Sequence, residues 1–299
     1  MIWIAKSVWE EKSLSTMPFG IAGDMAFRIF CTPRLSHYRA PNHSALVERA
    51  RFHLRKAEWR RITTPVADIQ TYTFHPEQSP SRGTILVSHG WTSEASFMTA
   101  IAEPIRRAGF RVVLFDLPAH GLSGGQSTHL VDCARATSFV ARAIGNLEAV
   151  VAHSFGGMIS LVAAEGLSPM PGPIDIPRVV LIACPNRLSQ VTSDFSRHWG
   201  LSQAGQRAFE HRLERVGGRP IGQFTIVKLL QSMRSNVLVM HDRDDEDVSF
   251  ESAEEIAACV DRAELVEFRG FGHRNILLAP PVMRVMVSFL VRGTNGVGG

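Results

Sequence analysis

The sequence has little of what would staple a small chain or seat it in a membrane. Its 299 residues include four cysteines, Cys31, Cys133, Cys184 and Cys259, and none stands in a C-x-x-C pair. A disulfide framework is therefore not expected, and the four thiols read as reduced, buried and inert. No apolar run has the length of a bilayer crossing, so no membrane span is expected. The apolar start at Met1 meets Glu10, Glu11 and Lys12 before a signal-like core can develop, and a cytoplasmic location is expected, with Met17 as an alternative start. Charge of one sign forms no long basic stripe. The formal net charge is +4, but basic residues are scattered among acidic ones, and no nucleic-acid partner is expected. Metal-ligand spacings, a phosphate loop and a dinucleotide fingerprint are missing, so neither a metal nor a cofactor is expected. Internal repeats and low-complexity segments are missing as well.

What is present is an ordinary globular composition, 45% hydrophobic and 20% charged, in a chain long enough to bury a substantial core. One larger α/β domain with an insertion fits this length better than two independent domains. From about residue 66, short β-branched runs alternate with stretches of helical period, the pattern of βαβ units and a mostly parallel sheet with helices on both faces. Thr84 to Ser88, Arg111 to Phe115, Leu147 to Ala152, Arg178 to Ala183, Asn236 to Met240 and Glu264 to Phe268 read as buried strands. Val66 to Phe74 alternates in part and reads as an antiparallel edge strand. Helical spacing covers Ser93 to Ala108, Thr128 to Ile144, Phe155 to Glu165, Glu251 to Val260 and Pro281 to Val291. Ser252-x-x-Glu255 is a candidate capping box, with a start nearer Ser249 equally open. Arg51 to Arg61 reads as an amphipathic segment with a solvated face. Residues 186–235 break the alternation and contain an amphipathic helix around Gln203 to Arg215, which reads as a helical cap insertion. The expected division is a helical leader at 1–65, an α/β core at 66–185 and 236–293, the cap at 186–235 and a flexible tail at 294–299.

The run Leu147 to Gly157 is a strand that ends in a serine between small residues and continues as a helix. Ala152-His153-Ser154-Phe155-Gly156 approximates the G-x-S-x-G nucleophile elbow, in which a serine occupies a strained turn and its second neighbours must be small. Alanine in the first glycine position adds one methyl group. Read alone, the same residues also suit a serine N-cap after a strand. A serine hydroxyl needs a base, and that base needs a carboxylate to hold its tautomer. Two further strand ends offer them: Asn236 to Met240 runs into His241-Asp-Arg-Asp-Asp-Glu-Asp-Val248, and Glu264 to Phe268 runs into Arg269-Gly-Phe-Gly-His273. In an open α/β sheet, chemistry gathers at that carboxyl edge.

These loops together resemble the α/β-hydrolase family, with its acid loop H-G-x-x-D-x-x-V, a glycine before its histidine, an H-G-x loop after an early strand, and an F-D-x-x-G-x-G-x-S loop. Here the last two read His89-Gly90-Trp91 and Phe115-Asp116-Leu-Pro-Ala119-His120-Gly121-Leu-Ser123. The resemblance covers about residues 66–293 and implies the α/β-hydrolase fold. It implies Ser154 as nucleophile, His273 as base and Asp245 as acid, with Asp244 the rival one residue away. The oxyanion donors it implies are the N–H groups of Trp91 and Phe155. Asp242 stands where the family has glycine, and Ala119 replaces another. The acidic residues around Asp245 otherwise read as a solvated loop. Asp116 and His120 read as structural braces, while His89 and His153 stand in the wrong chain order for a base. The leader, including Phe30-Cys-Thr-Pro-Arg34, resembles that of some uncharacterised bacterial hydrolases and adds no chemistry.

The implied activity is that of a serine hydrolase on a small-molecule carboxylic ester, with a thioester, amide or lactone also open. Serine in place of aspartate at the elbow disfavours dehalogenase and epoxide-hydrolase chemistry. A non-catalytic ligand-binding protein of the same fold, or a peptidase or acyltransferase, are the alternatives. Phe195, Trp199 and Phe209 are expected either to line an acyl pocket or to form the core of the cap. Oligomeric state is left open.

Overall fold

The computed structural model describes residues 14–33, 43–79 and 81–292, with 43–47 by backbone alone. The first thirteen residues, Arg34 and the expected tail lie outside these. Eight runs form strands: β1 (Glu58–Thr63), β2 (Asp68–Phe74), β3 (Thr84–Ser88), β4 (Arg111–Phe115), β5 (Leu147–His153), β6 (Arg178–Ile182), β7 (Asn236–Asp242) and β8 (Ala263–Phe268). They make one sheet in the order β1-β2-β4-β3-β5-β6-β7-β8. The six strands from β4 to β8 pair in parallel, and β1 and β2 add on antiparallel.

The inner strands are nearly continuous apolar runs because both of their faces are covered. Leu86, Val113, Val150, Val179 and Val239 point into one core, while their neighbours Ile85, Val112, Val151, Val180 and Leu238 point into the other. This is the alternation of a pleated strand applied to a sheet without a wet face. The helices are α1 (Phe19–Phe30), α2 (His43–Leu54), α3 (Thr99–Arg107), α4 (Leu130–Ile144), α5 (Phe155–Glu165), α6 (Leu188–His198), α7 (Gln203–Gly217), α8 (Ile226–Gln231), α9 (Glu251–Cys259), α10 (Gly272–Asn275) and α11 (Pro280–Val291). Residues of α4, α5, α8 and α9 fill the first core, and those of α3 and α11 fill the second.

Several expectations need correction. Asp68–Phe74 is antiparallel but not the edge, because Glu58–Thr63 pairs along its outer side. That segment, Glu-Trp-Arg-Arg-Ile-Thr, is almost wholly exposed. Cross-strand hydrogen bonds hold it rather than burial, so it carries no apolar alternation, and its charges suit an unpaired edge. The expected single amphipathic segment from Arg51 to Arg61 is therefore the end of α2 followed by a strand. The expected helical leader contains this strand too. Cys259 is exposed in the last turn of α9, whereas the other three cysteines are buried. No capping box forms at Ser252, since α9 begins at Glu251, whose N–H donates to Ser249 Oγ at 3.3 Å.

Three helices, α6, α7 and α8, occupy the stretch between β6 and β7. The leader docks on them: a Cβ at Gly23 of α1 would lie 2.6 Å from Ala208 Cβ of α7, so glycine permits the close crossing. Asp24 pairs with Arg212 across the same contact. Phe195 and Phe209 are buried there around Phe30, with ring centroids 5.2 and 5.4 Å from it. These two rings form core and do not line an open pocket. Among the described residues no single helix is long and apolar enough to cross a membrane.

Candidate functional site

Ser154 follows β5, a central strand, and stands at φ 54°, ψ −132°. Positive φ is costly for serine and marks a position held by its surroundings. The Ser154 N–H donates to Ile182 O of β6 at 2.9 Å, and α5 starts at the next residue. The turn needs close neighbours. A Cβ at Gly156 would run into the carbonyl oxygens of Ser88 and His89, and one at Gly90 would lie 2.9 Å from Ser154 Cβ and 3.3 Å from its Oγ. Ala152, in the first glycine position of the motif, fits fully buried.

Three sequence-predicted side chains meet here. His273 Nε2 lies 3.1 Å from Ser154 Oγ, and His273 Nδ1 lies 2.8 Å from Asp245 Oδ2. An ionised carboxylate only accepts, so Nδ1 carries the hydrogen and Nε2 is left to accept from the serine hydroxyl. Asp245 is buried, and burial alone would raise its pKa. Hydrogen bonds from His241 and His273, with that from the Val248 N–H, outweigh burial and hold the carboxyl below its usual range. Its Oδ1 accepts from the N–H groups of Asp247 and Val248 at 2.8 and 2.9 Å.

The rival Asp244 has another partner: its Oδ2 accepts from Gly270 N at 2.9 Å. Asp242 is fully buried, not solvated, and corrects the reading of this stretch as an open acidic loop. Its Oδ1 accepts from Asp244 N at 2.8 Å and its Oδ2 from Phe271 N at 2.9 Å. Two carboxylates of the acid loop thus bind the backbone that leads into His273. Glycine at 242 could not do this.

The expected oxyanion donors border the serine from the other side. Phe155 is the first residue of α5, and Trp91 follows the glycine that touches Ser154. Their rings meet edge to face at 5.6 Å, and Trp91 stacks on Phe30 of α1 at 5.5 Å. His89 and His120 brace this region. His89 Nδ1 donates to Gly90 O at 2.7 Å and its Nε2 accepts from Leu117 N at 3.0 Å, while His120 Nδ1 donates to Pro118 O and its Nε2 accepts from Thr92 N. Each ring is used at both nitrogens in its neutral form. Asp116 accepts from Tyr72 OH and from the N–H groups of Ala95 and Leu122, which ties β2 and two loops together. Burial raises the pKa of Asp116 and lowers that of His89. Gly121 is required, because any Cβ there would collide with the Asp116 carboxylate.

Comparison with protein-family models matches residues 85–293 to the alpha/beta hydrolase family, more than half of the chain. The chain belongs to that family. Similar solved structures of this hydrolase fold include Est1E from Butyrivibrio proteoclasticus, at 15% identity and a TM-score of 0.62, covering 78% of this chain and 97% of that one. A thioesterase domain from the curacin biosynthetic pathway matches at 15% identity and a TM-score of 0.55, over 79% of this chain and 99% of the other. A serine hydrolase involved in carbazole degradation matches at 15% identity and a TM-score of 0.57, over 78% and 98%. No curated protein matches the chain.

Sequence reasoning missed two supports of this candidate site. His241, fully buried at the end of β7, directs Nε2 at Val248 O (2.9 Å) and Asp245 Oδ2 (3.3 Å), so it braces the acid from beneath. Its place four residues before Asp245 was visible, but only the fold turns that spacing into a contact. Phe30 was read as part of a leader without chemistry, yet it is the ring against which Trp91 packs. Among the described residues no three His, Cys, Asp or Glu side chains are grouped to hold a metal ion.

Proposed function

We propose that the protein is a serine hydrolase that cleaves a small carboxylic ester, or a thioester, through an acyl-enzyme. The observation that carries this reading is the unbroken chain of hydrogen-bond distances from Ser154 Oγ through His273 to Asp245 Oδ2, 3.1 and 2.8 Å. Ser154 Oγ attacks the acyl carbon while His273 Nε2 takes its proton. Asp245 stabilises the imidazolium so formed, and the N–H groups of Trp91 and Phe155 hold the oxyanion. The proton then passes from Nε2 to the leaving alcohol or thiol. Water, deprotonated by the same nitrogen, attacks the acyl-enzyme and releases the acid. No step requires a metal or cofactor. Free cysteines suit a reducing compartment, and we place the enzyme in the cytoplasm.

The test is labelling of the folded protein with a fluorophosphonate probe, alongside turnover of p-nitrophenyl esters and acyl thioesters. The wild type is expected to label at Ser154. Ser154→Ala should abolish labelling and lower turnover by about a millionfold, the scale of losing a triad nucleophile. A folded wild type that neither labels nor turns over any acyl substrate would be a ligand-binding protein on a hydrolase fold.

A further inference from the structure

His153 sits between Ala152 and Ser154 as the last residue of β5, and 6% of its surface is exposed. Its Nε2 lies 2.8 Å from the main-chain oxygen of His273. A carbonyl oxygen only accepts, so Nε2 carries the hydrogen and donates it. The two rings lie side by side, centroids 4.7 Å apart and tilted by 45°. Burial, and then repulsion from His273 in its charged form, pull the His153 pKa down to about 3. The ring therefore remains neutral and keeps its donor throughout neutral pH. It adds no like charge when His273 becomes an imidazolium.

The base needs such an anchor. His273 belongs to the four-residue helix α10, and the residues before it include Gly270 at φ 82° and Gly272 at φ 64°. Two such glycines give the approach to the base little stiffness of its own. Asp244 and Asp242 hold it upstream, at Gly270 N and Phe271 N. His153 holds it at the histidine itself. Because His153 and Ser154 are adjacent on one rigid strand end, this bond refers the base directly to the nucleophile.

We infer that His153 is a positioning residue: by binding the main-chain oxygen of His273 it fixes the imidazole at bonding distance from Ser154 Oγ. The inference rests on the serine-hydrolase reading. It assigns a task to the variable second position of the elbow motif, and that task requires a donor of a set reach. Glutamine can present an N–H about where Nε2 stands, asparagine is too short, and phenylalanine fills the space without a donor.

The wild type and the His153→Gln, His153→Asn and His153→Phe variants are compared by kcat and KM for p-nitrophenyl acetate, fluorophosphonate labelling rate and thermal midpoint. The downfield proton resonance of the His273 Nδ1–H bonded to Asp245 gives an independent reading of the base. His153→Asn and His153→Phe should lose about tenfold to a hundredfold in kcat and in labelling rate, with KM changed by less than about twofold, as expected of a misplaced group. Their downfield resonance should broaden. His153→Gln should stay within about threefold of wild type and keep a sharp resonance. Asparagine equal to glutamine, or phenylalanine equal to wild type, would overturn the inference while leaving a labelled Ser154 and the hydrolase reading intact. The Gln–Asn pair decides the matter even if the phenylalanine variant fails to fold. A wild type that does not label overturns the hydrolase reading and this inference with it.

Discussion

The loop after β8 brings His273 to Ser154, backed by carboxylates of the β7 end, whereas the loops after β3 and β4 border the serine with neutral imidazoles and an aromatic ring. On the first side Asp242, Asp244 and Asp245 accept from the backbone of their own loop or of the loop that carries His273. On the second, His89 and His120 each use one nitrogen as donor and the other as acceptor, and Trp91 stacks on Phe30 and meets Phe155 edge to face. The division follows the charges that acyl transfer would create. Positive charge grows on an imidazole and is favoured beside carboxylates, while negative charge grows on an oxygen and is favoured by N–H donors. Asp116, the buried carboxylate of the second side, has both oxygens occupied by donors.

Four substitutions, one of them a control, test this contrast, taken from the largest effect to the smallest. Asp245→Asn removes the carboxylate that faces His273 and should lower kcat by about ten-thousandfold, while Asp244→Asn, at the carboxylate that accepts from Gly270 N, should lower it by less than about tenfold. Steady-state ester turnover separates the two, and the reverse order would move the acid by one residue. Gly90→Ala puts a methyl group against Ser154 on the other side. By displacing the Trp91 donor it should lower kcat by about a hundredfold to a thousandfold. Unchanged kcat would remove Trp91 from the proposed oxyanion site. Asp242→Ala strips the acceptor from Phe271 N and Asp244 N. Urea unfolding should show a loss of about 1–3 kcal/mol for each group left unsatisfied, with kcat roughly tenfold lower. A fall in stability without a fall in kcat would mean that the carboxylate braces the loop without positioning the base.

Much of the fold was legible before any coordinates. The parallel strands β3 to β7 were visible because strands buried on both faces must be apolar almost throughout, and such short runs are hard to mistake when punctuated by turn residues; β8 was placed correctly but is a half-exposed edge strand and not a buried one. Helix α5 was visible to the residue. Strand β1 was not, since an exposed edge strand is held by backbone pairing that side chains do not advertise. In the site, the order of serine, acid and histidine along the chain was legible, and the structure brings these three side chains within hydrogen-bond distance. Asp242 was misread because a carboxylate in a run of acids looks solvated until its partner across the loop is known. Cys259 was misread for the opposite reason, since an apolar helical pattern does not say which way one thiol faces.

What the sequence determined by itself was local: strand and helix periods, the small residues that a serine in a strained turn demands, and the kinds of group that follow each strand end. Which of those groups touch was decided only by the order of strands in the sheet. Asp242 meets Phe271, Phe30 meets Trp91 and His153 meets His273 because the fold makes neighbours of segments that are far apart along the chain. Periodicity and turn chemistry act over a few residues, so they write themselves into the chain. Contacts between distant loops depend on the whole sheet.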